Sequence, residues 1–402
     1  MKFRLTIIFC LLVSLSYAQV IVTGKIMDAT TGKAIPGASV YINQTRIGTM
    51  SDGAGNFKIS SATNANFDLV VSCIGYKTYF KAISLSNNHF LNIKLEAKTK
   101  QLENIVLHHY EKNGWEKWGD LFTKFFIGKS AYAKNCRIKN KDVIKFWMDD
   151  KNKILSVEAL EPIQIENKAL GYIIRYDMQK FEYDINGKFI AFSGFPFFID
   201  MKGSKSDALK WVVKRKEAYT GSVMHFMRSL FSDSLRADGF IVQHLQRTPN
   251  LERQRVKEIY ERDVKPLKEG TNNWKYTEDD SISYYNRIMA QPDYYDVYDR
   301  NILSADSISF KVDESKKQMF FENYLQVICT NKKETKEFML AAGDHTSHYI
   351  KSFIKLLSHD PVSIYSNGLY YDTQNLFVEG YWSWSEKVAE MLPYDYQPEN
   401  WS

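Results

Sequence analysis

Residues 20–76 restrict the fold more than any other stretch. Apolar and polar residues alternate in short runs, and glycine-containing turns separate the runs. Val22-Thr23-Gly24-Lys25-Ile26-Met27-Asp28 opens the pattern and Pro36-Gly37 interrupts it. Proline fixes φ and glycine accepts a positive φ, so this pair marks a turn. Ala38-Ser39-Val40-Tyr41-Ile42 then alternates with the period of a sheet covered on one face. Asp52-Gly53 and Gly55-Asn56 make a tight connection into Phe57-Lys58-Ile59. Residues 67–74 are more apolar, as a central strand requires, and residues 83–95 supply the closing strand or strands. About seven short strands at this spacing predict a β-sandwich over residues 19–96.

The motifs in this stretch are Val22-x-Gly24-x-Ile26, Pro36-Gly37-Ala38-x-Val40, Gly48-Thr49-x-x-Asp52-x-x-Gly55-x-Phe57 and Ser72-x-Ile74-Gly75-Tyr76. In this order and spacing the segment resembles the carboxypeptidase regulatory-like domain, a transthyretin-like (prealbumin-like) sandwich. That family accompanies zinc carboxypeptidases. It also stands at the N-terminus of starch-utilisation-type TonB-dependent transporters and on surface proteins of Gram-negative bacteria, and it is not itself catalytic. The resemblance implies an envelope protein with a folding or docking module. Asp52 and Asn56 offer two oxygen side chains in one loop, well short of the six to eight ligands calcium takes. They are expected to build a turn.

The residues before the sandwich read as a signal peptide over 1–18. Lys2 and Arg4 give a positive start, residues 5–15 are apolar, and Ser16-Tyr17-Ala18 offers small residues for cleavage before Gln19. The apolar run falls short of the ~20 residues a spanning helix needs. Cys10 lies within it without preceding small residues, which argues against a lipid-modified cysteine. Export makes the compartment periplasm, outer membrane or cell surface. The formal charge is +6, and Lys2 and Arg4 contribute two of those six charges. So small an excess gives no reason to expect a nucleic-acid partner. The mature chain keeps Cys73, Cys136 and Cys329. An odd number leaves at least one free thiol, and spacing leaves a Cys136–Cys329 pair open.

Residues 97–135 are expected to form a linker containing an amphipathic helix from Gly114 to Phe126. Trp115, Trp118, Phe122, Phe125 and Phe126 recur at helical spacing, and Asn113 with Glu116 has the spacing of a capping box. The aromatic stripe suits packing on the next domain better than peripheral attachment to a membrane, because the polar face is short and not strongly basic. Residues 136–402 predict a larger β-rich α+β domain. Strands are expected at 143–148, 154–159, 163–165 and 171–183, the last with Tyr172, Ile174, Tyr176 and Met178 on one face. Asn186-Gly187 and Asn367-Gly368 are hairpin signals. Residues 215–235 and 345–357 have helical spacing, and residues 249–280 read as irregular with short helices. The fold class is therefore mainly β / α+β. The two-part arrangement and the Leu392-Pro393-Tyr394-Asp395-Tyr396-Gln397-Pro398 ending resemble a group of uncharacterised envelope proteins.

Three function classes compete. A zinc peptidase needs three His or carboxylate ligands and an open position for water. His108 with Glu111 has His-x-x-Glu spacing but stands in the linker with no third ligand. His345 and His348 would share one face of a helix, yet His-x-x-His arises easily by chance. His225 and His244 read as surface or core polar residues, and Glu158, Glu161 and Glu166 fall at strand ends without a definable pair. A glycan-binding module would use stacking rings, with Tyr284-Tyr285, Tyr294-Tyr295, Trp382 and Trp384 as candidates. A membrane barrel is disfavoured because helical and charged segments interrupt the regular ~10-residue strands it needs. The preferred expectation is a non-catalytic exported envelope protein without cofactor or metal, in which the sandwich docks or spaces a larger domain. Its partner would be another envelope protein or a glycan. The alternative is a glycan- or peptide-binding accessory of an outer-membrane uptake system.

Overall fold

The alternation in the first hundred residues becomes seven strands in two facing sheets. The computed structural model describes residues 20–61, 66–84, 89–98, 110–186, 189–264, 280–343 and 345–398. The leader expected at 1–18 and His108 lie outside these. The strands are β1 (Val20–Asp28), β2 (Ser39–Ile42), β3 (Gly48–Met50), β4 (Asn56–Ser61), β5 (Phe67–Ser72), β6 (Tyr79–Ile83) and β7 (His89–Leu95). One sheet runs β4-β1-β7 and the other β3-β2-β5-β6. Val22, Ile26, Val40, Leu69, Val71 and Ile93 fill the space between them at 0–1% exposure. Each such side chain removed from water stabilises the sandwich by about 1.5–3 kcal/mol. Asp52 builds its turn as expected: its Oδ1 accepts the amides of Ala54 (2.9 Å) and Asn56 (2.8 Å).

The region after residue 110 opens with α1 (Gly114–Phe126), at the expected bounds. The expected capping box does not form. Asn113 occupies the N-cap at φ −111° and ψ 44°, and its side chain makes no capping bond. That conformation is not the extended one from which a cap side chain reaches the next turn's amides. The aromatic stripe packs inward, with Phe122 and Phe126 at 0% exposure. It lies on a six-stranded sheet of β8 (Cys136–Ile138), β9 (Ile144–Asp149), β10 (Ile154–Ala159), β11 (Ile163–Asn167), β12 (Tyr172–Asp184) and β13 (Ile190–Asp200). Tyr172, Ile174, Tyr176 and Met178 of β12 share the buried face.

Helical structure begins earlier than the spacing from 215 suggested. α2 (Lys205–Tyr219) starts at a capping box in which Ser204 accepts the Asp207 amide and the Asp207 carboxylate accepts the Ser204 amide. Gly221, at φ +72°, ends it, and a Cβ there would meet Ile350 Cδ1 at 2.4 Å. The chain then turns into α3 (Val223–Phe231).

A five-stranded sheet follows. It holds β14 (Phe240–Pro249), β15 (Tyr294–Tyr298), β18 (Tyr324–Lys333), β19 (Tyr349–Leu356) and β21 (Leu376–Gly380) in the order β15-β14-β18-β19-β21. A small sheet combines β16 (Ser309–Lys311), β17 (Lys316–Met319) and β20 (Val362–Tyr365). The remaining helices are α4 (Leu251–Ile259), α5 (Asp280–Met289), α6 (Lys336–Ala342) and α7 (Tyr381–Ser385). The helix expected at 345–357 is instead β19, which pairs with both β18 and β21. Its Ile350, Ser352, Ile354 and Leu356 are buried in strict alternation, so the period is two. Phe226, Phe240, Leu325, Ile354 and Trp382 anchor the core of this second part.

The sandwich sits directly on the larger region. Thr45 bridges Phe197, the Gln44 amide donates to Pro196 O (2.7 Å), and the Tyr394 amide donates to Gln44 O (2.7 Å). Arg46 joins Asp395 (2.9 Å) and Asp200 (3.0 Å). Ser72 and Thr78 donate to Asp177 Oδ2 at 3.1 and 2.5 Å, and the Tyr371 hydroxyl donates to Asp68 at 2.7 Å. The β2–β3 loop is thus held between β13 and the C-terminal Leu392–Asp395 stretch.

Candidate functional site

A cleft of about 820 Å³ opens between α2, the end of β18, the residues after α1 and the C-terminal stretch. This is the size at which small-molecule sites occur, about 300–1,000 Å³. Backbone geometry places its polar residues. The β18–β19 register slips between Cys329 and Lys333, at the level of Lys332. Gly380, at φ +75° and ψ −140°, turns β21 into α7 where a Cβ would lie 2.7 Å from Lys351 O. That bend sends Tyr381 and Trp382 inward to 1% exposure. Glu390 is set by its neighbours: Val388 and Ala389 donate to Phe126 O (3.1 Å) and Ile127 O (3.0 Å). These bonds satisfy carbonyls that the end of α1 leaves open. Asn167, fully buried, donates to Ala389 O at 2.9 Å.

Tyr132 and Val213 line the wall, and Tyr381 backs it at 1% exposure. Tyr381 is wedged against Phe338 (centroids 5.0 Å) and Trp384 (5.7 Å). Its hydroxyl is buried, with Thr335 beside it. Lys332 donates to Glu217 O (2.9 Å) and lies 5.7 Å from the Tyr381 ring centre. At the mouth Lys214 and Glu217 pair at 2.6 Å, and the Tyr132 hydroxyl donates to the same carboxylate at 3.3 Å.

The ionisable groups lean toward neutrality. Burial pushes the Glu390 carboxyl up to about 7, against the opposing pull of Lys332 and the Ser130 hydroxyl. Burial also lowers Lys332, although the carboxylates of Glu390 and Glu386 favour its charge. Glu386 rises through desolvation in spite of the Val223 amide, which it accepts at 2.9 Å. Desolvation raises the Tyr132 and Tyr381 hydroxyls well above the usual range. A smaller cavity of about 160 Å³, lined by Gln44, Glu386 and Tyr394 among others, reaches the other side of Glu390. Burial, paired ionisable groups and concavity coincide here, the conjunction that marks candidate functional sites.

The residues singled out from sequence lie elsewhere. His345 is exposed in the segment before β19, and the His348 carbonyl accepts the Glu334 amide at 2.9 Å. No cluster of three metal-binding side chains occurs among the described residues. Glu111 pairs with Lys117 at 2.9 Å. Trp382 is buried and donates to Gly221 O at 2.6 Å, so it offers no open ring face. Trp384 packs on Phe338 and Tyr381. His225 is a half-buried acceptor for the Gly221 amide at 3.1 Å, and desolvation holds it down to about 4. Cys73, Cys136 and Cys329 are separate thiols.

Of the tyrosine pairs, Tyr284 donates to Glu252, while Tyr295 donates to Gln291 at 3.1 Å. Tyr294 lies on the outer face of the five-stranded sheet, 5.7 Å from Arg247. Arg247 also lies over Tyr324 (4.7 Å) and Phe353 (5.5 Å), and Asp296 and Glu379 hold it at 2.8 and 2.5 Å.

Residues 22–107 match the CarboxypepD_reg-like domain family. A 95-residue stretch is 32% identical to the TonB-dependent receptor SusC of Bacteroides thetaiotaomicron, covering 24% of this chain and 9% of the receptor. The match therefore spans a small fraction of that relative. Among solved structures, a Bacteroides fragilis protein of unknown function, described as membrane-associated, aligns over 88% of this chain and 99% of its own, at 12% identity and a TM-score of 0.17. A DUF3823 family protein from Bacteroides ovatus aligns over 46% of this chain and 83% of its own, at 11% identity and a TM-score of 0.17. No helix among the described residues is long and apolar enough to cross a membrane.

Proposed function

We propose that the chain is an exported cell-envelope protein that binds its ligand without transforming it. The sandwich serves as a fixed docking module and the cleft beside Glu390 as the ligand site. One observation carries the reading: a cleft of about 820 Å³ gathers Glu390, whose carboxyl burial pushes up to about 7, and Lys332 beside the Tyr381 ring. The sandwich match and the SusC similarity support the envelope assignment.

The test is thermal unfolding of the mature protein with a small-molecule extract of its own envelope, alongside cell fractionation. The extract is expected to raise the Tm of the wild type and to leave Val213→Trp, which fills the cleft mouth, unchanged. An equal response of both proteins, or cytosolic protein, overturns the reading. So does stoichiometric zinc that His345→Ala and His348→Ala remove.

A second reading is favoured by the tyrosine platform around Arg247. The Tyr294, Tyr324 and Phe353 rings surround a guanidinium pinned by two carboxylates, with Tyr294 about half exposed, an arrangement suited to stacking the apolar faces of sugar rings. In that case glycan-array signals fall at least tenfold in Tyr294→Ala. Signals unchanged by that substitution reject it.

A further inference from the structure

We propose that α2 lies flat on a bilayer surface that carries anionic headgroups. The proposal does not require a ligand in the cleft. It starts from the two sides of one helix. Trp211, Arg215, Ala218 and Tyr219 recur at helical spacing and face the protein. The Trp211 indole donates to Lys168 O (3.0 Å), and the Arg215 guanidinium donates to Leu170 O (2.8 Å) and lies 3.9 Å from the Tyr172 ring centre. Ala218 and Tyr219 are buried. On the opposite side Leu209 and Val213, four residues apart, stand at 59% and 51% exposure. The inner stripe already fixes the helix, and the outer apolar pair is left in water.

Lysines line both flanks of that pair. At about 3.6 residues per turn, Lys205 and Lys216 fall on one side of the Leu209–Val213 ridge, with Lys210 and Lys214 on the other. All four are exposed. The helix carries five cations, Lys205, Lys210, Lys214, Arg215 and Lys216, against the carboxylates of Asp207 and Glu217. Both carboxylates are engaged: Asp207 accepts the Ser204 amide (3.0 Å) and hydroxyl (2.7 Å), and Glu217 pairs with Lys214 (2.6 Å). Arg215 pairs with Asp200 at 3.0 Å. Lys205, Lys210 and Lys216 form no ion pair among the described residues, and Lys210 acts on Asp207 only at longer range.

An apolar ridge between two rows of lysines fits a plane with hydrocarbon beneath it and negative charge at its surface. The ridge enters the boundary between headgroups and acyl chains, and the lysine stems let the ammonium groups stay at headgroup level. A purely polar polyanion would match the lysines and leave Leu209 and Val213 in water. A neutral apolar surface would match the ridge and leave the lysines without counter-charge. An anionic bilayer satisfies both. Val213, Lys214 and Lys216 also line the cleft, so a bilayer under α2 meets the rim of the cleft and gives a ligand dissolved in the membrane a short way in.

The test is co-sedimentation of the mature protein with vesicles of mixed phosphatidylglycerol and phosphatidylcholine, with pure phosphatidylcholine vesicles as the neutral control. Binding is expected to the mixed vesicles, to weaken at high salt, and to be slight on the neutral ones. Lys205→Gln combined with Lys216→Gln is expected to weaken it about 25-fold, about fivefold for each lysine near the surface. Leu209→Ser is expected to weaken it about fivefold through the apolar contact alone. These positions are exposed, so the Tm of each variant should match the wild type. Lys58→Gln combined with Lys81→Gln removes two exposed charges from the sandwich instead and is expected to leave binding unchanged. Equal binding to both kinds of vesicle, or none to the mixed ones, overturns the proposal. So does an equal loss from the sandwich pair, which would assign the attraction to net charge. Binding untouched by Leu209→Ser overturns it as well, because the surface would then be a site for any polyanion.

Discussion

Phe122→Ala is expected to lower the unfolding free energy by about 3–5 kcal/mol, the range for truncating a buried phenylalanine. Phe122 is fully buried at the meeting point of helix and sheet. Its ring lies 4.9 Å from Phe126, 5.0 Å from Phe181 and 5.9 Å from Phe146 between centroids. These rings come from α1, β12 and β9, so the cavity would open where the elements join and could not close by moving one of them. The loss has two parts, the apolar surface no longer removed from water and the contacts missing around the void. Urea unfolding followed by tryptophan fluorescence measures it, since Trp115 and Trp118 stand on the same helix. Phe122→Leu, which refills most of the space, is expected to cost about 1–2 kcal/mol. A loss below about 1 kcal/mol for the alanine variant would mean that α1 is not part of the core.

Glu390→Gln is expected to stabilise the protein at pH 8 by about 1–3 kcal/mol and to leave it almost unchanged at pH 4. The native carboxyl titrates near 7 against an ordinary value of 4.5. Between those values the native state holds a proton that the unfolded chain has released, so wild-type stability falls as pH rises through 4.5 to 7. Below that window both states are protonated, and above it the full cost of the buried charge is present. Partial exposure of Glu390 and loss of the attraction to Lys332 keep the gain below the full shift. Glutamine removes the titration, so the slope of stability against pH between 4.5 and 7 should flatten. Urea unfolding at pH 5, 6, 7 and 8 tests this, and a slope unchanged in the variant would assign it to another group.

Elements whose character is local were legible from the chain. The sandwich strands, α1, β10 and β12 each repeat their period over enough residues to be read directly, and the Pro36-Gly37 and Asp52–Asn56 turns need special residues. Local spacing misleads where a distant partner overrides it. His345, His348 and the apolar residues of β19 after them imitate a helical face. Pairing with β18 and β21 imposes period two because each covers one edge of the strand. The start of α2 is marked by Ser204 and Asp207, three residues apart, but the weakly apolar stretch after them carries little helical periodicity. Asn113 and Glu116 had the letters of a capping box without the extended backbone it requires.

The candidate site was illegible for a related reason. Tyr132, Lys332, Tyr381 and Glu390 come from four separate stretches, and no motif spacing links them. Glu390 acquires its shifted acidity from desolvation, a property of everything packed around it. Trp382 and Trp384, the more conspicuous letters, went to the core because Gly380 turns the chain inward. Periodicity and turn chemistry, which act between neighbours along the chain, were enough to specify a strand-rich protein with a sandwich at its front. Chain folding alone could bring Lys332 beside Tyr381 and Glu390 in one cleft, because burial and Coulomb interaction depend on distance in space.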